Sequence, residues 1–509
     1  MPKLQPVVVR VPTTPSKRRQ VEGTKKTQQH EGASLWVGYV TLLKLTMGAG
    51  TLGLPYAFSE SGFLVGAVLL VCVTCIALYG GFLLAACSEK VLSDGTPATF
   101  GAMTSRASPA FGHVVNTIIM FKCTGTAVSY MIVLGENLAA VAEKTLGVSA
   151  ESSLATRQFW QFAVFAVFVA PVAFLKDLKA LKNAAVLGLI AVLYVLFLAV
   201  VYSLLPDSET CAAFESVDAC RGKPVAVNPD PVGQLRALPI FFFALTCHQN
   251  IPTTFNEMAQ PSVGRITKGI LLPALTSAAA IFMTIGFAGY LTYGHNVLPD
   301  FLLSYPDSDP LVAAGRVALA LIATCSCPLQ LHPARLSATA LARAFLSVVF
   351  RNRPERLKAW TTDEGGRSGV LRVILTTFLL SALFATSWVV SSLGLVFDVI
   401  GAVGATGLTM YLPGFLFLCL FRKSAVTSEE MDAPTPGTAA AARSGKVAKG
   451  DVTRRAERQA LKEGGPEKSS LSERAIQWHL RGALFLFLLG FTVMSLTLAS
   501  LVLTGGGGH

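Results

Sequence analysis

The chain has 509 residues, 52% of them hydrophobic and 14% charged, with a formal net charge of +12. Its charges fall between long apolar runs of spanning length, which excludes a soluble globular domain and reads as an all-α polytopic membrane protein. The positive excess lies in loops and flanks rather than on one folded basic face, so topogenesis and anionic lipid account for it, and nucleic acid is not an expected partner.

In chain order, residues 1–33 are polar and basic and are read as a disordered cytoplasmic tail. A cleavable signal peptide is not expected, because the first apolar run begins late and is long. About eleven spans follow, at 35–59, 63–87, 112–140, 158–175, 183–205, 235–259, 267–293, 309–331, 371–389, 393–421 and 478–504. The transporter core is placed at 34–421, with repeats at about 34–205 and 235–421. A second disordered linker is placed at 422–476, and the last span with an outer C-terminus at 477–509.

Span one carries Met47-Gly48-Ala49-Gly50-Thr51-Leu52-Gly53-Leu54-Pro55 at its middle. A membrane helix is interrupted at such depth only where the freed backbone groups face protein, water or a ligand. Gly48 and Gly50 weaken the helix, and Pro55 removes the donor that the Thr51 carbonyl would use. The competing explanation is that the glycines let two helices pack closely and the proline is a kink. Lys44 lies one turn to the cytoplasmic side. It either gates transport by losing a proton, since burial favours the neutral amine, or snorkels to the surface.

Span three holds Lys122, Glu136 and Tyr130. Lys122 is expected at the interface, and Tyr130 either closes a pocket or makes an interhelical hydrogen bond. Cys211 and Cys220 share the loop at 206–234 and are expected to form a disulfide, the alternative being two free thiols. Span six contains a second interruption, Leu245-Thr246-Cys247-His248-Gln249-Asn250-Ile251-Pro252, in which Pro252 is expected to free the His248 carbonyl. His248 is a candidate proton shuttle or a hydrogen-bonding wall residue, and Cys247 a small pocket-lining one. Glu257, near the inner end of this span, is expected at the interface. Span eight carries Thr324-Cys325-Ser326-Cys327-Pro328, where a hydroxyl and free carbonyls suit sodium, although a nearby Lys44 competes with a cation. The amphipathic stretch Leu336–Phe350 is read as a separate surface helix, and Asp398 lies in span ten.

Lysines and arginines crowd the N-terminal tail, the loops after spans four and six, and the 335–372 and 422–476 stretches, whereas the opposite loops are acidic. The N-terminus is therefore expected in the cytoplasm and the C-terminus outside or in a lumen.

Two interrupted spans about two hundred residues apart fit two inverted halves with a binding site between them. The half-helices that begin near Thr51 and Asn250 offer partly positive N–H groups to a carboxylate. Those ending near Thr46 and Thr246 offer carbonyls to an ammonium or cation. A small zwitterion suits such a site. The candidate substrate site is Thr46, Gly48, Ala49, Gly50, Thr51, Tyr130, Thr246, Cys247, His248 and Gln249. The candidate coupling set is Lys44, Met47, Ser326 and His248, for H+ or Na+, with no organic cofactor or bound metal expected.

Gly48-Ala49-Gly50-Thr51-Leu52-Gly53-Leu54-Pro55-Tyr56-Ala57 resembles the first-helix signature of the eukaryotic amino acid/auxin permeases. Cys247-His248-Gln249-Asn250 with Asn256-Glu257 resembles the sixth-helix motif of their vacuolar and neutral branches. Ser326, Pro328, Pro333 and Arg335 are similar to the eighth-helix region, and Gly401-Ala402-Val403-Gly404 with Tyr411-Leu412-Pro413 to the tenth. The resemblance implies a LeuT-like fold of 5+5 inverted repeats with discontinuous helices one and six, and secondary transport of amino acids. It also implies a sodium-site hydroxyl at Ser326. Sodium-coupled members carry an asparagine where this chain has Lys44, as proton-coupled members do.

The expected function is alternating-access amino acid transport with H+ favoured over Na+, in a monomer embedded in plasma or vacuolar/lysosomal membrane. An amino-acid sensor is the alternative from another class. An enzyme is not expected, because no HExxH, glycine-rich phosphate loop or carboxylate pair accompanies the breaks.

Overall fold

In hydrocarbon the backbone must satisfy itself, and this chain does so almost entirely through helices. The computed structural model describes residues 32–145, 147–175, 181–206, 210–211, 216–306, 309–361, 368–432 and 471–503. Eight described helices are long and apolar enough to cross a membrane: Phe63–Ser93, Pro109–Glu143, Leu187–Leu204, Val263–Asn296, Pro310–Val349, Ser368–Val389, Leu393–Arg422 and Arg474–Leu503. Two shorter apolar helices, Leu35–Thr46 and Arg157–Ala173, stand where spans one and four are expected. Span six is the pair Pro231–Leu245 and Ile251–Glu257. Every expected span position is filled.

Spans three and eight pack along each other more extensively than any other pair of described elements, and broken span one lies against broken span six. These are the third and the first helices of each five. Helices in equivalent places of the two halves therefore meet, which fits the expected 5+5 arrangement with discontinuous helices one and six. At the start of span one, Ala33 forms a parallel β-bridge with Met258, and its N–H donates to the Glu257 carbonyl at 2.8 Å. Asn256, on the same turn, exchanges two hydrogen bonds with the Ala98 backbone, at 2.7 and 2.8 Å.

Two boundaries differ from expectation. Leu336–Phe350 is not a separate surface helix: span eight runs unbroken from Pro310 to Val349, 40 residues with Pro328 and Pro333 inside it. At 1.5 Å per residue it is about 60 Å long, roughly twice the hydrocarbon thickness, so part of it extends beyond the bilayer. Arg335 secures it there, donating to the Ala173 and Leu175 carbonyls at the end of span four, at 2.7 and 3.3 Å. Span ten likewise continues as helix to Asp432, past its expected end at 421. The tail at 1–31 and the linker at 433–470 lie outside the described residues. Cys211 and Cys220 are joined by a disulfide.

The loop between spans seven and eight folds over the end of span three. Asp300, 2% exposed, accepts from Asn137 Nδ2 at 2.6 Å and from the Leu302 N–H at 3.2 Å. Arg316 donates to the Leu302 and Tyr305 carbonyls at 3.0 and 3.2 Å. Burial pushes the Asp300 carboxyl up to about 6, against the opposing pull of Asn137, the Leu302 N–H and Arg316. A carboxyl raised on folding contributes stability that is present in acid and lost as pH rises through about 6. Acidification from pH ~7 to ~5 should therefore stabilise the wild type by about 1–2 kcal/mol relative to D300N. Melting curves of purified protein at the two pH values check this, and identical pH profiles would refute it.

Candidate substrate site at the two helix breaks

Span one stops as a helix at Thr46. Met47 (φ −79°, ψ 88°) and extended Gly48 (φ −125°, ψ −156°) carry the chain into a 3₁₀ turn, Ala49–Thr51, before helix resumes at Leu54–Ser61. Pro55 sits in the first turn of that second half-helix, where its missing N–H costs nothing. The turn is held by Thr51 N–H to the Gly48 carbonyl and Leu52 N–H to the Ala49 carbonyl, both 3.1 Å. Span six repeats the scheme. Helix ends at Leu245, Thr246 is extended (φ −85°, ψ 104°), and a 3₁₀ turn, His248–Asn250, leads into Ile251–Glu257 with Pro252 in its first turn. One expectation fails here: the His248 carbonyl is not free, because the tightened turn brings the Ile251 N–H onto it, one residue before the proline.

The glycines serve packing as well as breakage. A Cβ on Gly50 would lie 2.8 Å from Ala244 Cα, and one on Gly53 2.7 Å from the Phe397 ring. Span one thus rests on the backbone of span six at its interruption. Thr46 and Cys247, one from each break, interact through their side chains. Thr246 donates to the Phe242 carbonyl and pairs with Thr409 of span ten at 3.1 Å. Span ten is π-helical over Ile400–Ala405 and Gly407–Tyr411, a form that recurs at functional sites.

Met47, Gly48, Ala49, Thr51 and Tyr130 line a cavity of about 30 Å³ closed by apolar side chains of spans five and eight. The Tyr130 hydroxyl interacts with the Ala49 backbone and with the Ser326 and Gln330 side chains. Tyr130 thus lines the cavity and links span three to spans one and eight, and Ser326 joins the span-one break through it. The span-six residues do not line this cavity. His248 is fully buried and turned toward span two, where its Nε2 is 3.0 Å from the Ala77 carbonyl. Three buried polar atoms at the breaks, Thr51 Oγ1, His248 Nδ1 and Gln249 Oε1, have no hydrogen-bond partner. Such atoms are costly unless a partner arrives.

Lys44 is partly buried in the last turn of its half-helix, beside carbonyls that carry partial negative charge. Glu257 is exposed, as expected of an interfacial residue. Lys122 is not interfacial. It is 3% exposed, because Gly404 of span ten leaves room for its stem; a Cβ at Gly404 would lie 2.7 Å from Lys122 Cβ. Sequence reasoning underrated it, since nothing in the order of residues brings Gly404 to span three. The acidic groups cluster elsewhere. Glu136 pairs with Arg157 at 3.7 Å, and Asp398 lies within electrostatic reach of the Glu60–Arg236 pair, which is 2.7 Å apart.

The profile of a family described as "Transmembrane amino acid transporter protein" matches residues 31–435. The chain belongs to that family. The match takes in both breaks and spans one to ten. Among curated relatives of this transmembrane amino acid transporter family, "Vacuolar amino acid transporter 6" of Saccharomyces cerevisiae is 29% identical over 75% of this chain and 89% of the relative. "Sodium-coupled neutral amino acid transporter 7" of Bos taurus is 27% identical over 76% and 78%. The solved structure of MhsT in complex with L-phenylalanine has a TM-score of 0.48 at 15% identity, covering 92% of this chain and 99% of that one.

In this family member, a Cβ on Gly48 would meet the Tyr130 hydroxyl at 2.9 Å, with only that ring within reach. G48A should destabilise the protein by about 1–3 kcal/mol, and Y130F in the same chain should recover most of the loss. Thermal melts of the two single variants and the double variant check this. Additive losses would show that the hydroxyl is not the obstacle.

Proposed function

We propose that the chain is a secondary active transporter of amino acids that works by alternating access and couples substrate to a proton. The observation that supports this most directly is the pressing together of two interrupted spans, Gly50 against Ala244, inside a family of amino acid transporters. The substrate carboxylate would sit on N–H groups at the start of the second half-helix of span one. Its ammonium would face the carbonyl end near Thr46 and Thr246. The unpartnered Thr51 Oγ1 and Gln249 Oε1 would serve it. Spans one, two, six and seven would rock against the others around this point.

The name of the Bos taurus relative points to sodium, and Ser326 beside Tyr130 and Ala49 gives that reading a hydroxyl. Electrostatics favour the proton. Two lysines, Lys44 and Lys122, stand near the breaks, whereas Glu136 and Asp398 belong to clusters with Arg157 and Arg236. A sodium ion near the breaks would meet like charge. The N-terminus is assigned to the cytoplasm by its lysines and arginines, and the yeast relative's name favours a vacuolar-type membrane.

In proteoliposomes, uptake of a neutral amino acid should follow an imposed pH gradient. Uptake that needs sodium and ignores pH would overturn proton coupling. Binding without flux under either gradient would make the protein a sensor.

A further inference from the structure

Lys122 lies well inside span three and is 3% exposed. Its stem packs on Gly404 in the π-helical stretch of span ten. The titratable groups facing it are Cys123 on its own helix and Cys247 and His248 at the span-six break; span ten meets it with the glycine. Among the described residues, no carboxylate is among the groups acting on it.

Packing does not call for a lysine here. An apolar side chain of similar volume would fill the same space without the cost of drying an unpaired charge, which is several kcal/mol. An ionisable group kept inside a membrane protein without a counter-charge marks a transport pathway. Lys122 also bridges elements that would move relative to one another: spans three and ten on one side, and the span-six break on the other. That break touches span one through Cys247 and Thr46.

We propose that Lys122 is the residue that carries the coupled proton. The proposal rests on the proton-coupled reading above and can fail separately from it. When the broken spans swing away from span three, water reaches the amine, and its lone pair takes a proton from a hydronium ion, leaving water. Closure dries the ammonium and disfavours the charge; when the spans open to the other side, it gives that proton to a water there, forming hydronium, and the amine is neutral again. No bond other than N–H forms or breaks. His248 lies within electrostatic reach, with its Nε2 held on the Ala77 carbonyl at 3.0 Å.

The test is transport by the full-length protein in proteoliposomes with the membrane potential clamped at zero. For one proton per substrate, a gradient of about one pH unit drives about tenfold accumulation of a neutral amino acid. Wild type should approach that value. K122Q should lose accumulation entirely yet continue to exchange labelled for unlabelled substrate at equal pH. K122R, which keeps length and charge but does not release a proton at ordinary pH, should behave the same way and covers the case in which K122Q does not fold. Accumulation near the wild-type ratio by either variant overturns the assignment to Lys122. Absence of pH-driven accumulation in the wild type overturns proton coupling itself.

Discussion

The contact on which the rest of the structure depends is backbone against backbone, where Gly50 of span one meets Ala244 of span six. With no Cβ at residue 50, the two interrupted helices approach until their turns share one neighbourhood. Thr46 then reaches Cys247, Thr246 reaches Thr409, and the Tyr130 hydroxyl closes over Ala49. The interruption and the approach need each other. Unpaired peptide groups in hydrocarbon are tolerated only where protein or a ligand covers them, and that cover is the other broken span.

The polar groups of the spans are sorted rather than scattered. Glu60 with Arg236, and Glu136 with Arg157, neutralise one another across helices. Asp300 is roofed by Asn137 and the Leu302 N–H. Around the breaks stand two lysines, several hydroxyls and three of the buried polar atoms that lack partners, others of which lie on Asn137, Arg236 and Asp398.

Much of this was legible in the sequence. Hydropathy located every span, because runs of spanning length have few other uses. Proline and glycine marked both breaks, because their effect on a helix is local. Other features were not legible, some because they are set by partners far along the chain. Lys122 is buried only because Gly404 makes room for it, and no local pattern reports that. The orientation of His248 follows from the Ala77 carbonyl on span two. Pro252 does remove a donor, but the 3₁₀ turn before it supplies another. At span eight, the amphipathic pattern of Leu336–Phe350 suggested a separate helix, while the span runs on through Pro328 and Pro333 and holds Arg335 against span four.

The short β-bridge at Ala33 joins the entry of the first span to the exit of the sixth. Because this tie is made by backbone groups, no single side-chain replacement removes it, and the entry of one interrupted span and the exit of the other keep a common position.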